Sequence, residues 1–221
     1  MNRLYIGTRR YSSWSMRGWL AVKLADLEVE EVAIQLVGGN TPEVKAISPS
    51  GTVPLLEHEG NRIWDSLAII EYCAELAPRL WPADRRARAV ARAVSAEMHA
   101  GFRDLRSDMP MNLGAAHPGE GRTAGALANI ARIEQLWADT RGLFGGDYLF
   151  GDFCAADAMF APVVARFATY GPELTSASKE YCAAVLAHPL VEAWHSATAA
   201  EPASWRLERY ELFQPTPART T

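Results

Sequence analysis

Over the first eighty positions apolar residues recur first at period two, then at helical spacing, then at period two again. In 3-RLYIGT-8, Leu4 and Ile6 fall on one face, which predicts a strand. Met16, Trp19, Leu20, Lys23 and Leu24 follow at helical spacing. Residues 29–36 put Val32, Ile34 and Leu36 on one face and predict a second strand. Thr41, Pro42 and Glu43 then read as an N-cap, a first-turn proline and an acidic first turn, opening a short helix that ends near 48-SPSG-51. Two short apolar runs between 53 and 66 flank Glu59-Gly60-Asn61, the pattern of a hairpin. Ser66 precedes an apolar helix over 67–76. One strand-helix-strand unit gives a parallel pair and the hairpin adds antiparallel strands. The expected result is a four-stranded mixed sheet with helices on both faces.

Beyond Leu76 the strand pattern stops. Residues 77–86, with two prolines and several charges, read as a linker. One helix is expected from Asp84 to about Asn112, ended or kinked by Pro110. A loop at 114–121 separates it from a second long helix, about Arg122 to Phe144. After a loop at 145–152 comes the strongly apolar stretch 155–170, which reads as a buried central helix despite Pro162. Further helices are expected near 176–187 and 190–200, and a loosely held tail at 214–221. The chain thus divides into an α/β unit over 1–80 and an all-α unit over 81–221.

Composition narrows the functional classes. The 221 residues suffice for a sizeable core, and a net charge of −4 gives no pull toward nucleic acid. No apolar run approaches the ~20 residues that span a bilayer. The N-terminus lacks the regions of a signal peptide. Cys73, Cys154 and Cys182 are scattered and odd in number, which speaks for a reducing, cytoplasmic setting. The histidines at 58, 99, 117, 188 and 195 have no metal-ligand spacing, and neither His-Glu-x-x-His nor Cys-x-x-Cys occurs. No metal and no disulfide-reductase chemistry are expected.

The densest chemistry lies in 11-YSSWSMRGW-19, three hydroxyls and a cation where a strand becomes a helix. Ser13 or Ser15 could simply cap the helix. Alternatively the helix start, with free N–H groups and a favourable dipole, holds an anion beside a hydroxyl. Arg17, one turn in, either adds positive potential there or pairs with an acid. Ser66 reads as an N-cap, and Asp157 as the acidic cap of the apolar helix.

These features together resemble the glutathione transferase superfamily. The resemblance rests on Ser-Ser-Trp-Ser-Met-Arg at 12–17, Val53-Pro54 opening a strand, Asp65-Ser66 opening the third helix, and 151-GDFCAADA-158 before the apolar helix. The serine arrangement is most similar to the zeta class and related bacterial serine-type members. Departures are Trp14 where zeta-class proteins carry cysteine, Thr52 where many members carry Lys or Gln, and Cys154 where Ser or Thr is usual. The resemblance implies a thioredoxin-like fold over 1–80 that binds glutathione, and a helical domain forming the acceptor pocket. It implies that Ser12, with Ser13 as the alternative, donates a hydrogen bond to the thiolate, with Trp14 and Arg17 beside the ligand. It further implies a cis Val53-Pro54 bond with the Val53 backbone pairing the cysteinyl unit, and Asp65 and Ser66 on the γ-glutamyl end. Trp14, Met98, Phe102, Arg106 and Met109 are candidate walls of the acceptor pocket. The implied activity is conjugation of the thiol to an electrophilic, fairly apolar acceptor by a homodimer. The alternatives are a maleylacetoacetate-type cis–trans isomerase, for which Arg10, Arg103 and Arg106 are candidate contacts to a dianion, or a non-catalytic binding protein.

Overall fold

The computed structural model describes residues 1–213, and the expected tail at 214–221 lies outside them. Its first part is the four-stranded sheet that the alternation predicts. β1 (Arg3–Gly7) runs parallel to β2 (Glu30–Ile34), joined by α1 (Ser13–Leu24). A short α2 (Pro42–Ile47) leads to β3 (Leu55–His58) and β4 (Asn61–Trp64), giving the strand order β2-β1-β3-β4. β3 is antiparallel to both β1 and β4. Glu59 and Gly60 connect the hairpin with φ of 50° and 80°, the two left-handed residues that a tight two-residue turn requires. Leu4 and Ile6 are fully buried, and α1 and α3 (Ser66–Leu76) pack together beside the sheet. Gly18 permits α1 to lie close to the residue that opens β3. A Cβ there would stand 2.8 Å from the Pro54 ring.

The second part is helical: α4 (Arg85–Ala100), α5 (Arg103–Asp108), α6 (Ala124–Phe144), α7 (Ala155–Tyr170), α8 (Ser176–Leu186), α9 (Pro189–Ala199) and a short α10 (Glu208–Glu211). The helix expected from Asp84 to Asn112 is two helices. Gly101 ends α4, its N–H donating to Glu97 O, and Phe102 adopts φ +60° with its ring in the core. The left-handed residue turns α5 away from the axis of α4. Pro110 follows the end of α5, where its missing N–H costs nothing.

α7 is buried at every position but Ala168, as its continuous apolar sequence predicts, and it packs against both α1 and α4. Asp157 anchors its start by accepting from Cys154 N–H at 2.9 Å, Leu149 N–H at 3.1 Å and Tyr181 O–H at 3.0 Å. Among the described residues no helix is long and apolar enough to cross a membrane.

Candidate functional site

A cavity of about 390 Å³ opens where the N-terminus of α1 meets α5, α7 and α10. Its wall includes Ser12, Ser13, Trp14, Val53, Arg106 and Arg166. The site therefore draws on both parts of the fold. The helix start supplies N–H groups and hydroxyls, and the helical part supplies cations.

The three serines have different jobs. Ser12, not Ser13 or Ser15, is the N-cap of α1; its Oγ accepts from Ser15 N–H at 3.3 Å. Ser12 Oγ in turn donates to Ser15 Oγ at 2.7 Å, and Ser15 Oγ also accepts from Gly7 N–H at 2.9 Å. This relay fastens the loop to the end of β1 and spends the Ser12 proton inside the protein. Ser13 is the first residue of the helix. Its Oγ accepts from the Arg166 guanidinium at 3.4 Å and donates to nothing among the described residues. Of the two adjacent hydroxyls, Ser13 is the one whose proton has no acceptor among the described residues.

Three guanidiniums gather beneath this loop. Arg17 is 1 % exposed. Its Nε donates to Met159 O at 2.8 Å, its Cζ lies 4.8 Å from the Trp14 ring centre, and its Nη1 has no partner. Of its two readings, the ion pair with an acid does not form among the described residues. Arg17 instead ties α1 to α7, and the Asp65 carboxylate acts on it through space. Arg106 lies 4.6 Å from the Trp14 ring centre. It donates to the carbonyls of Met98 and His99, closing the end of α4, while its Nε is left without a partner. Arg166, 4 % exposed, donates to Met109 O at 2.9 Å and Pro162 O at 3.0 Å. Burial pulls the pKa of Arg106 and of Arg166 down to about 10, and for Arg166 the Arg106 charge adds to the effect. Arg17 is pulled well down by burial, then by Arg106 and Arg166. Guanidiniums keep their protons in proteins. The cluster is thus a positive region with little built-in counter-charge, which suits an anionic ligand.

The opening of α3 differs from expectation in one detail. Asp65, with φ +75°, is the N-cap and accepts from Leu67 N–H at 2.8 Å; Ser66 is the first helical residue. The cap role assigned to Ser66 is taken by Asp65, whose carboxylate reaches the first free N–H groups of the helix from one residue earlier. The Ser66 hydroxyl is 1 % exposed and has no partner among the described residues. Asp65 also faces His99 Nε2 at 3.3 Å, and the His99 ring meets the edge of Trp14. The Val53-Pro54 bond is cis, Val53 borders the cavity and Pro54 is buried beneath it.

Several expected wall residues lie elsewhere. Met98, Phe102 and Met109 belong to the hydrophobic core, so methionine and aromatic spacing marked packing there. Arg103 is exposed, and Arg10 reaches away from the cavity to Leu113 O. Arg166 and Tyr210 were missed. Arg166 did carry a signal, a lone guanidinium in an otherwise apolar buried run, which requires partners. Tyr210 carried none, because α10 is only four residues long. Burial pushes Cys73 and Cys182 up to about 12 and Cys154 well above the usual thiol range. Tyr11 is also pushed up to about 12 by burial, and its O–H is spent on Glu211 at 2.7 Å.

A family model described as the glutathione S-transferase N-terminal domain matches residues 11–76, and one described as the C-terminal domain matches residues 119–197. A probable maleylacetoacetate isomerase of Caenorhabditis elegans is 38% identical over 166 residues, spanning 73% of this chain and 76% of that protein. A maleylacetoacetate isomerase of Rattus norvegicus is 29% identical over 178 residues, spanning 78% and 81%. Among solved structures, a maleylacetoacetate isomerase of Anaeromyxobacter dehalogenans with GSH in its active site superposes at a TM-score of 0.66. It shares 26% identity over 92% of this chain and 97% of that one. A glutathione transferase homologue of Burkholderia with bound glutathione gives 0.69 at 25% identity, over 90% and 99%.

Proposed function

This chain belongs to the glutathione S-transferase family, and from that premise we propose that it is an enzyme that binds glutathione in the cavity and activates its thiol toward an electrophilic acceptor. Bound glutathione supplies a thiol whose anion is the nucleophile. The observation that carries the reading is the floor of the cavity. There the unspent Ser13 proton and the N-terminus of α1 meet a guanidinium cluster short of counter-charge. Ser13 donates to the thiolate, and Ser12 holds the loop through Ser15. Trp14 forms the wall beside the ligand, with Arg17 stacked behind its ring. The Val53 backbone pairs the peptide like an added strand. Asp65 and the partnerless Ser66 hydroxyl take the γ-glutamyl end, where a carboxylate would also satisfy N–H groups at the start of α3.

In this reading residues 1–80 hold glutathione and residues 81–221 complete the acceptor pocket. A homodimer is supported by the edge strand β4, whose Trp64 is 45% exposed. Three unpaired thiols suit the cytoplasm.

One observation favours the isomerase reading over conjugation to an apolar acceptor. Arg106 lines the cavity with no carboxylate paired to it among the described residues, and a carboxylate-bearing acceptor would supply the counter-charge. The isomerases among the relatives point the same way.

Calorimetric titration with glutathione, followed by the ultraviolet absorbance of the bound thiolate against pH, tests the reading. Binding with a thiol pKa below the free value of ~8.5 is expected. Binding with an unshifted thiol would leave a non-catalytic binding protein, and absence of binding would end the glutathione reading.

A further inference from the structure

We propose that Arg166, on the helical side of the cavity, is a positioning residue for thiol activation: it holds the Ser13 hydroxyl by its oxygen, so that the hydroxyl proton is offered to the cavity, and it supplies the charge against which the thiolate forms. The proposal rests on the glutathione reading above.

The geometry is that of a fixed donor. Two of the guanidinium nitrogens are held by backbone, Nε by Met109 O at 2.9 Å and Nη1 by Pro162 O at 3.0 Å. The third, Nη2, faces Ser13 Oγ at 3.4 Å. A guanidinium is planar and only donates, so two held nitrogens fix where the third points. A hydroxyl that accepts from a cation turns its own proton away from that cation. For Ser13, whose proton has no partner among the described residues, the open direction is the cavity that Ser13 and Arg166 both line.

Charge favours the same role. Among the described residues the groups that act on Arg166 are Arg106 from α5, Tyr170 on its own helix and Tyr210 from α10, and Arg166 acts in turn on Arg17 from α1; none of these is a carboxylate. The Tyr170 O–H is engaged with Pro110 O at 2.9 Å. Arg166 is buried, so solvent and salt screen it little. An opposite charge within ~4–6 Å shifts a pKa by roughly one to three units. Ser13 Oγ stands 3.4 Å from Nη2, so a sulfur that accepts from Ser13 lies one hydrogen bond further from the guanidinium, toward the outer part of that range.

Two other roles are possible for a buried arginine here, a clamp between α7 and Met109 or a contact to the acceptor. The bound-thiol pKa separates them. It would be measured by ultraviolet titration of the glutathione complex for the native protein, Arg166→Lys, Arg166→Gln, Ser13→Ala and the double variant. With Arg166→Gln the thiol pKa should rise by about one unit. Turnover at pH values below both pKa values should then fall about tenfold and rejoin the native rate at high pH. Arg166→Lys, which keeps the charge, should recover most of the shift. In the Ser13→Ala background the Arg166→Gln effect should shrink by at least half, because the two act through one hydrogen bond. Salt should move the native thiol pKa little.

An Arg166→Gln protein that binds glutathione with the native thiol pKa would overturn the proposal, as would a change confined to the KM of the acceptor. Should Arg166→Gln fail to fold, the guanidinium ¹⁵N resonance of Arg166 in the native protein, assigned by its loss in Arg166→Lys, decides. It should move with the same midpoint as the thiolate absorbance, and a flat trace would overturn the proposal. Absence of glutathione binding to the native protein is a different failure, which removes the underlying reading and this proposal with it.

Discussion

Replacing Ser15 by alanine tests the account of the serine loop. Ser15 is fully buried and its Oγ takes two donors, Gly7 N–H at 2.9 Å and Ser12 O–H at 2.7 Å. Alanine removes both acceptor positions. The Gly7 N–H, at the end of β1, would stay buried without a partner, at a cost of ~1–3 kcal/mol. The Ser12 hydroxyl loses its acceptor but borders the cavity and can turn toward it, so its share is about 1 kcal/mol. Alanine is the better helix former by about 0.5 kcal/mol, a partial offset. The net expectation is a loss of ~2–3 kcal/mol, or roughly 5–10 °C in Tm for a chain of this length. Urea unfolding and scanning calorimetry would measure it. Ser13→Ala is the control, because its one long contact with Arg166 predicts a loss below about 1 kcal/mol. The reasoning fails if Ser15→Ala lies within about 0.5 kcal/mol of the native protein, or if Ser13→Ala is the more damaging change.

Four further outcomes are expected. Ser13→Ala should raise the bound-thiol pKa by about one to two units, the worth of one charge-assisted hydrogen bond, whereas Ser12→Ala should cost ~0.5–2 kcal/mol of stability as a lost cap and leave the thiol pKa largely in place; ultraviolet titration and urea unfolding of both variants check this. Ser66→Ala should leave stability within about 0.5 kcal/mol, since it removes a buried hydroxyl with no partner, yet weaken glutathione about tenfold by calorimetry. Arg106→Met should raise KM for a carboxylate-bearing acceptor in steady-state assays while glutathione affinity holds. Burial raises Asp157 from 3.8 to about 6, so through that window the native state binds the proton that the unfolded chain has released; stability from this group should fall by on the order of 2–3 kcal/mol as pH climbs from 3.8 past about 6, then level off, and the slope should vanish in Asp157→Asn when urea midpoints are followed against pH.

The mixed four-stranded sheet was readable because the period-two pattern states which face is buried, as at Leu4 and Ile6. The hairpin was readable because Glu59-Gly60 is turn chemistry. The central helix was readable because a run that is apolar on every face has to be buried. The break at Gly101-Phe102 was not. Glycine inside a helical pattern is common, and the deciding event is a bulky ring forced into a left-handed conformation by the space it fills in the core. The serine loop was legible as a place but not as a division of labour. Ser12 and Ser13 are alike in sequence, and only the position of Ser15 against Gly7 separates the spent proton from the free one.

Arg166 shows why this site resists reading along the chain. It lies 153 positions from the hydroxyl it touches, on a helix whose pattern says only that it is buried. A buried guanidinium needs acceptors, and backbone carbonyls at Met109 and Pro162 satisfy its hydrogen bonds without cancelling its charge. The same holds for Arg17 at Met159 O and for Arg106 at the carbonyls that end α4. Carboxylate partners in those places would have made three ordinary ion pairs and a neutral cavity. Carbonyl partners keep the region positive where the two parts of the fold meet. A cluster held in this way is costly until an anion arrives, so stability and affinity should trade against each other at these three residues. Neutral, well-packed replacements such as Arg106→Met could leave the unliganded protein as stable or more so, while removing the charge that the ligand completes.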